Sequence, residues 1–183
     1  GHCSLGQSAT EECSFVAVSI FVNPGTSGPP EDLDSYPHDR ERDRTLAAGD
    51  GVDLVFAPEA EEIYPPGHET TVEPGSAAEG MCGSNRPGHF RGVATVVTKL
   101  FNIIEPDVAY FGQKDAQQVA VVRQLVRDLN FDIDIKVCPT VREDDGLAMS
   151  SRNSHLSAEE RQQATALFVA LTTAREAIAA GEK

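Results

Sequence analysis

Apolar positions along this chain fall into short continuous runs, separated by longer stretches with helical spacing. Phe15 to Val22 is almost entirely apolar, which predicts a strand buried on both faces and stopped at Asn23-Pro24-Gly25. Val52 to Phe56 predicts a second buried strand, ended by Ala57-Pro58, and Val108 to Phe111 a third. Asp132 to Val137 alternates like a fourth. Helical spacing covers residues 3–13, where Gly6 weakens the helix by about 1 kcal/mol, and residues 39–48, 93–104 and 116–129. A short helix is expected around Glu59–Ile63, and the Pro/Gly-rich stretch from Pro65 to Pro87 reads as a loop with at most a short strand. Ser157 followed by Glu160 forms a capping box that opens one long predicted helix reaching Ala180.

Strands alternating with helices imply an α/β chain built on a doubly wound parallel sheet. No strand precedes the first helix, and little follows the last one, so the chain reads as the middle of a longer protein. Buried strand character stops at Val137-Cys138-Pro139. The expected division is a domain over 1–141, its first strand missing, and the beginning of a smaller lid domain over 142–183.

Composition narrows the function classes. The formal net charge of -14 excludes a general nucleic-acid binder, which its partner would repel. A phosphate-handling site in such a chain must concentrate its few cations, and Lys114, Arg86, Arg91 and Arg152 are the candidates. No run approaches the ~20 apolar residues that span a bilayer, so no membrane partner is expected. No secretory leader is read ahead of the first strand. Cys3, Cys13, Cys82 and Cys138 lack metal-type spacing. Reduced thiols in a cytoplasmic enzyme are expected, with no protein-held metal site. Glu143-Asp144-Asp145 reads as a solvated turn rather than a metal cluster.

Two segments carry the candidate chemistry. Gly112-Gln113-Lys114-Asp115 falls where a strand ends and a helix begins, the place where open α/β sheets bind ligands. Met149-Ser150-Ser151-Arg152-Asn153 offers two hydroxyls, a guanidinium and backbone N–H groups ahead of another helix, which suits a polyanionic phosphate. Together they read as a nucleotide site with a basic lid.

The segments Ser19–Pro24, Glu31–Pro37, Arg86–Val93, Tyr110–Gln118 and Asp145–Asn153 resemble, in order and over nearly the whole chain, the pantoate–β-alanine ligase branch of the cytidylyltransferase-like nucleotidyltransferases. The resemblance implies a Rossmann-like sheet of the nucleotidyltransferase type. The implied activity is ATP-dependent joining of pantoate to β-alanine through a pantoyl adenylate, releasing pyrophosphate and AMP. ATP and Mg²⁺ are the implied cofactors, with magnesium held mainly by the phosphates, and a homodimer is compatible with the family. Gly1 and His2 match the last two residues of the family's His-x-Gly-His signature. Gly112, Gln113, Lys114 and Asp115 match its ATP run, with Lys114 on the phosphates and Asp115 near the ribose. Met149, Ser150, Ser151 and Arg152 match a second ATP segment, and Val141 a backbone contact to adenine. His2, Lys114, Ser150, Ser151 and Arg152 are the implied catalytic set. Gln118 matches a pantoate-binding glutamine, while Asn23, Tyr36 and Arg86 lie in matching segments where they would touch pantoate or support the site. His89 is at least as well read as a tie between that loop and the sheet.

The chain departs from the family after Asn23-Pro24, where a glutamine that binds both substrates is replaced by Thr26 and a packing phenylalanine by Ser27. Pantoate polar groups left unpaired there would lose about 1–3 kcal/mol each, and half of the family's nucleotide histidine pair is unmatched, so ATP or AMP binding weaker than in an intact family member and little or no pantothenate formation are expected. Two alternatives stay open: another nucleotidyltransferase of the same fold, and a catalytically impaired nucleotide-binding fragment.

Overall fold

The computed structural model describes residues 2–26 and 40–181, with the side chains of residues 2, 3 and 40 left aside. Gly1, Ser27 and Tyr36 therefore lie outside the described residues, as does the imidazole of His2. The chain divides into two compact units, one spanning His2–Cys138 and one running from Pro139 onward.

In the N-terminal unit, helix α1 (His2–Glu12) leads to strand β1 (Ala17–Ser19), helix α2 (Arg40–Gly49) and strand β2 (Leu54–Phe56). Short helices α3 (Ala60–Ile63) and α4 (Met81–Asn85) precede the long helix α5 (His89–Ile104). Strand β3 (Val108–Gly112), helix α6 (Ala116–Asp128) and strand β4 (Asp134–Cys138) complete the unit. The Pro65–Pro87 stretch holds the helix α4 and a 3₁₀ turn at Ser76–Ala78, and no strand.

Helix α5 is rich in β-branched residues, which disfavour helix when isolated. Its burial settles the matter: Phe90, Val93, Ala94, Val97 and Phe101 recur at helical spacing and are all buried. They join Val121, Val122 and Leu125 of α6, Ile135 of β4 and Ile63 in one core cluster. Each fully buried aliphatic side chain there is worth about 1.5–3 kcal/mol, more than the propensity deficit of its position.

Both strand pairs are parallel, Ala17 against Leu54 in one and Val108 against Asp134 in the other. The expected single doubly wound sheet is not formed by the described residues, which make two separate two-stranded sheets, β1-β2 and β3-β4. This also corrects the expectation of strands buried on both faces. Phe15 is 63 % exposed, and β1 places Ala17 and Val18 half-buried and Ser19 exposed. Burial on both faces needs layers packed over both sides of the sheet, and among the described residues β1 belongs to a two-stranded sheet whose residues stay half-buried or exposed. The alternation read in β4 is present over Asp134–Val137, where Ile135 is buried and Val137 half-buried beside exposed Asp134 and Lys136, and it breaks at the buried Cys138. Helix α1 is tied to β3 by the Tyr110 hydroxyl, which donates to Glu12 Oε2 at 3.0 Å.

The C-terminal unit opens with a hairpin in which Arg142 bridges Ala148 in antiparallel fashion. A 3₁₀ turn at Ser151–His155 follows, then helices α7 (Ala158–Gln163) and α8 (Ala166–Ala179). The single long helix expected here is therefore broken at Ala164-Thr165. The Thr165 hydroxyl donates back to the Gln162 carbonyl at 3.3 Å, a bond of the kind that bends helices. Beyond the break, Phe168 lies under the Arg142 guanidinium, 4.6 Å from its ring centre, and against Gly146. The capping box of Ser157 and Glu160 forms as read.

Candidate active site

The turn Pro24–Thr26 that ends the first apolar run is built around Asn23. Asn23 is 7 % exposed, and its amide is engaged with the protein on both sides. The Nδ2 group donates to the Gly92 carbonyl at 3.1 Å, while Oδ1 accepts from the Gly25 N–H at 3.1 Å and the Tyr64 hydroxyl at 2.9 Å. Burial pushes the Tyr64 phenol above its ordinary pKa, so it remains a donor at neutral pH. Asn23 thus holds the turn against α5 and Tyr64.

The turn can lie on helix α5 because position 92 has no side chain. A Cβ there would run into the Gly25 carbonyl and stand 3.0 Å from the Thr26 nitrogen, both backbone. Once seated, the Thr26 carbonyl accepts from Arg86 Nη2 at 2.8 Å and from His89 Nδ1 at 2.9 Å. Because Nδ1 faces a carbonyl it carries the proton, leaving Nε2 to face Arg86 Nη1 at 3.4 Å as an acceptor. His89 thus ties its segment to the Pro24–Thr26 turn, where a tie to the sheet was expected. The Thr26 hydroxyl donates to the Asn23 carbonyl at 3.0 Å.

These groups wall a cavity of about 750 Å³ that also takes in Tyr64, His68 and Thr95. That volume is in the range of small-molecule sites. Arg91 lines it as well, with its guanidinium 3.7 Å from Glu73. Thr26 and Arg86 line this cavity together. Gln118, half-buried on α6, is not among the lining residues. Tyr64 was missed by sequence reasoning, although a buried asparagine beside a chain stop demands a donor for its oxygen.

Gly112 ends β3, and Gln113–Asp115 form a 3₁₀ turn leading directly into α6. The candidate ATP run therefore stands at the carboxyl end of a parallel strand and the head of a helix, where N–H groups lack partners and anions are favoured. Lys114 is exposed, its ammonium 3.7 Å from the neighbouring Asp115 carboxylate. An exposed pair of this kind is weak, so the ammonium can turn to a stronger anion.

In the C-terminal unit, the Met149 N–H donates to the Val141 carbonyl at 3.0 Å, closing the hairpin. The Ser150 hydroxyl accepts from the Arg152 N–H at 3.3 Å, capping the following 3₁₀ turn. Ser151 and Arg152 are exposed. The acidic run is a turn, as expected, but an ion-paired one. Arg161 donates to Glu143 at 2.6 Å and to Asp145 at 2.7 Å. Those bonds hold both carboxyls below their usual pKa range, with Asn153 assisting at Glu143 and the Leu147 N–H at Asp145. Asn153 Nδ2 also donates to the Ala148 carbonyl at 3.1 Å, so Met149–Arg152 is pinned at both ends.

Among the described residues no cluster of three or more His, Cys, Asp or Glu is arranged to hold a metal ion. No described helix is long and apolar enough to cross a membrane.

Comparison with known proteins places this geometry. Over all 183 residues the chain is 59% identical to the pantothenate synthetase of Chloroflexus aurantiacus and 57% identical to that of Caldicellulosiruptor bescii. It spans 65% of the length of each of these curated relatives. The crystal structure of pantothenate synthetase from Thermus thermophilus superimposes with a TM-score of 0.96 at 51% identity, covering 100% of this chain and 66% of that one. Pantoate-beta-alanine ligase from Francisella tularensis, complexed with beta-gamma ATP and beta-alanine, gives a TM-score of 0.87 at 41% identity, covering 92% of this chain and 65% of that one. The family model for Pantoate-beta-alanine ligase matches residues 1–183, the full set of segments that form the cavity wall, the strand-end turn and the pinned loop. The chain belongs to the pantoate–β-alanine ligase family.

Proposed function

We propose that the protein containing this chain condenses pantoate with β-alanine at the expense of ATP, through a pantoyl adenylate. The observation that carries the reading is the position of Gly112–Asp115 at the carboxyl end of β3 and the head of α6. The Francisella relative, complexed with a nucleotide and β-alanine, supports the substrate assignment.

The pantoate carboxylate attacks the α-phosphorus of ATP, and the bond to pyrophosphate breaks as the acyl–phosphate bond forms. The amine of β-alanine then attacks the acyl carbon, the bond to AMP breaks, and the amine gives up a proton as the amide forms. No covalent bond to the protein is needed, so the residues act by positioning and by electrostatic stabilisation. Lys114 supplies a mobile cation to the phosphates, and Gly112, Gln113 and Asp115 shape the nucleotide's seat. Gly1 and His2 contribute the remaining half of the nucleotide signature. The capped turn Ser150–Arg152, with Met149 and the Val141 backbone, supplies hydroxyls, N–H groups and a guanidinium to the nucleotide. Arg86 and Thr26 wall the pantoate cavity, supported by Asn23; Gln118 and Tyr36 are assigned to pantoate on the family match alone, since Gln118 does not line the cavity and Tyr36 lies outside the described residues. Mg²⁺ would be held by the ATP phosphates, since the described carboxylates form no cage for it and Glu143 and Asp145 are occupied by Arg161. The unit from Pro139 serves as the beginning of a lid that shields the adenylate from water.

The test is AMP release by the full-length protein that depends on both pantoate and β-alanine. Release dependent on neither overturns the reading. A second reading, an impaired enzyme, is favoured by the Thr26 hydroxyl, which is turned to the Asn23 carbonyl where the family places a glutamine amide. That reading predicts the same dependence on both substrates at a low rate.

A further inference from the structure

Two glutamines stand side by side at the start of α6, and only Gln118 has a family match to a ligand. Gln117 is 8 % exposed, the most deeply buried polar side chain on that helix. Its amide is saturated. Nε2 donates toward the carbonyls of Ala77, Glu79 and Gly80 at 3.3, 3.0 and 3.2 Å, and Oε1 accepts from the Cys82 N–H at 3.0 Å. Three carbonyls on one side and an N–H on the other require an amide in this orientation. A carboxylate would face three acceptors, and an apolar side chain would leave every partner unmet.

The segment gripped this way is under backbone constraint. Gly80 and Met81 both have positive φ, at 69° and 42°, and for methionine that conformation is unfavourable unless its surroundings enforce it. The Cys82 peptide then passes the constraint on. Its N–H is held by Gln117, and its carbonyl accepts from the Arg86 N–H at 2.9 Å. Arg86 in turn holds the Thr26 carbonyl in the cavity wall. One hydrogen-bonded path thus runs from the helix that follows the nucleotide run to the wall of the cavity.

We propose that Gln117 is a positioning residue that sets Arg86, and through it the Thr26 turn, in register for the acid substrate. The proposal rests on the ligase reading above. Gln117 touches no substrate. It shapes the pantoate side of the site while leaving the exposed nucleotide turn beside it unconstrained. A residue needed for folding alone would lower the amount of active protein without selecting one substrate.

The experiment compares Gln117→Leu with the unmodified full-length protein, measuring KM for pantoate, KM for ATP and kcat in the coupled AMP-release assay. The expected result is a rise of at least tenfold in KM for pantoate, with KM for ATP within about twofold. If Gln117→Leu does not yield folded protein, Gln117→Asn keeps the amide but shortens its reach. A rise in its pantoate KM of at least threefold, with ATP unaffected, supports the role. Unmodified protein that turns over normally, beside a variant whose KM values are unchanged or rise equally for both substrates, overturns the Gln117 assignment alone. Absence of substrate-dependent turnover in the unmodified protein overturns the ligase reading and this role together.

Discussion

Replacing Gly92 by alanine tests whether the cavity wall depends on the close approach of the Pro24–Thr26 turn to α5. Helix propensity alone favours the change by about 1 kcal/mol. The new methyl, however, meets the Gly25 carbonyl and the Thr26 nitrogen, which are backbone atoms with no rotamer to relieve the clash. Overpacking of this kind costs about 1–3 kcal/mol. Lifting the turn also strains three hydrogen bonds: Asn23 to the Gly92 carbonyl, and Arg86 and His89 to the Thr26 carbonyl. Losing one of them costs about 1 kcal/mol. The balance is a destabilisation of about 2 kcal/mol, or a drop of roughly 4–8 °C in Tm for a chain of this size. Thermal unfolding followed by circular dichroism reads this directly, and pantoate KM should rise in parallel. An unchanged or higher Tm, as propensity alone would give, refutes the reasoning.

Lys114→Ala removes the exposed ammonium from the strand-end turn and should slow adenylate formation by about 10²-fold, the scale of losing one preorganised charge donor. Pantoate-dependent exchange of pyrophosphate into ATP measures this, and an unchanged rate would remove Lys114 from the phosphates. Arg161→Met should uncouple the acidic turn from α7. Since Arg161 holds the Glu143 and Asp145 carboxyls below their usual range, its stabilising effect is complete above the unfolded carboxylate pKa of about 4 and is lost as pH falls through the lowered folded values. Stability curves of the two proteins should therefore differ at neutral pH and converge in acid, and parallel curves would contradict the pairing.

The order of helices and strands was legible because the N-terminal unit buries its apolar residues at regular spacing. Val93, Val97 and Phe101 announce α5 despite its β-branched content, while its first turn, from His89, lay outside the helix read over 93–104. Boundaries and burial of β1 were less legible, since an apolar run such as Phe15–Val22 records what a strand can bury rather than which neighbours it has. The break at Thr165 was hidden because a threonine back-bond leaves no mark in an apolar pattern. At the candidate site, motif residues such as Lys114, Arg86 and Ser150 were readable from side-chain chemistry. Gly92 and Gln117 were not, because their partners are backbone groups far away in sequence, and a carbonyl has no letter in the alphabet of side chains; Tyr64 was not, because the Asn23 side chain it meets lies in a distant segment.

The hold that Arg86 and His89 keep on the Thr26 carbonyl has an evolutionary consequence. Every amino acid presents the same carbonyl, so the frame of the cavity survives any replacement at position 26 whose side chain fits. Architecture and selectivity are thereby written in different parts of one residue. On the proposed pantoate reading, the side chain at 26 becomes an interchangeable fitting, through which substrate preference can drift while the wall that carries it stays in place.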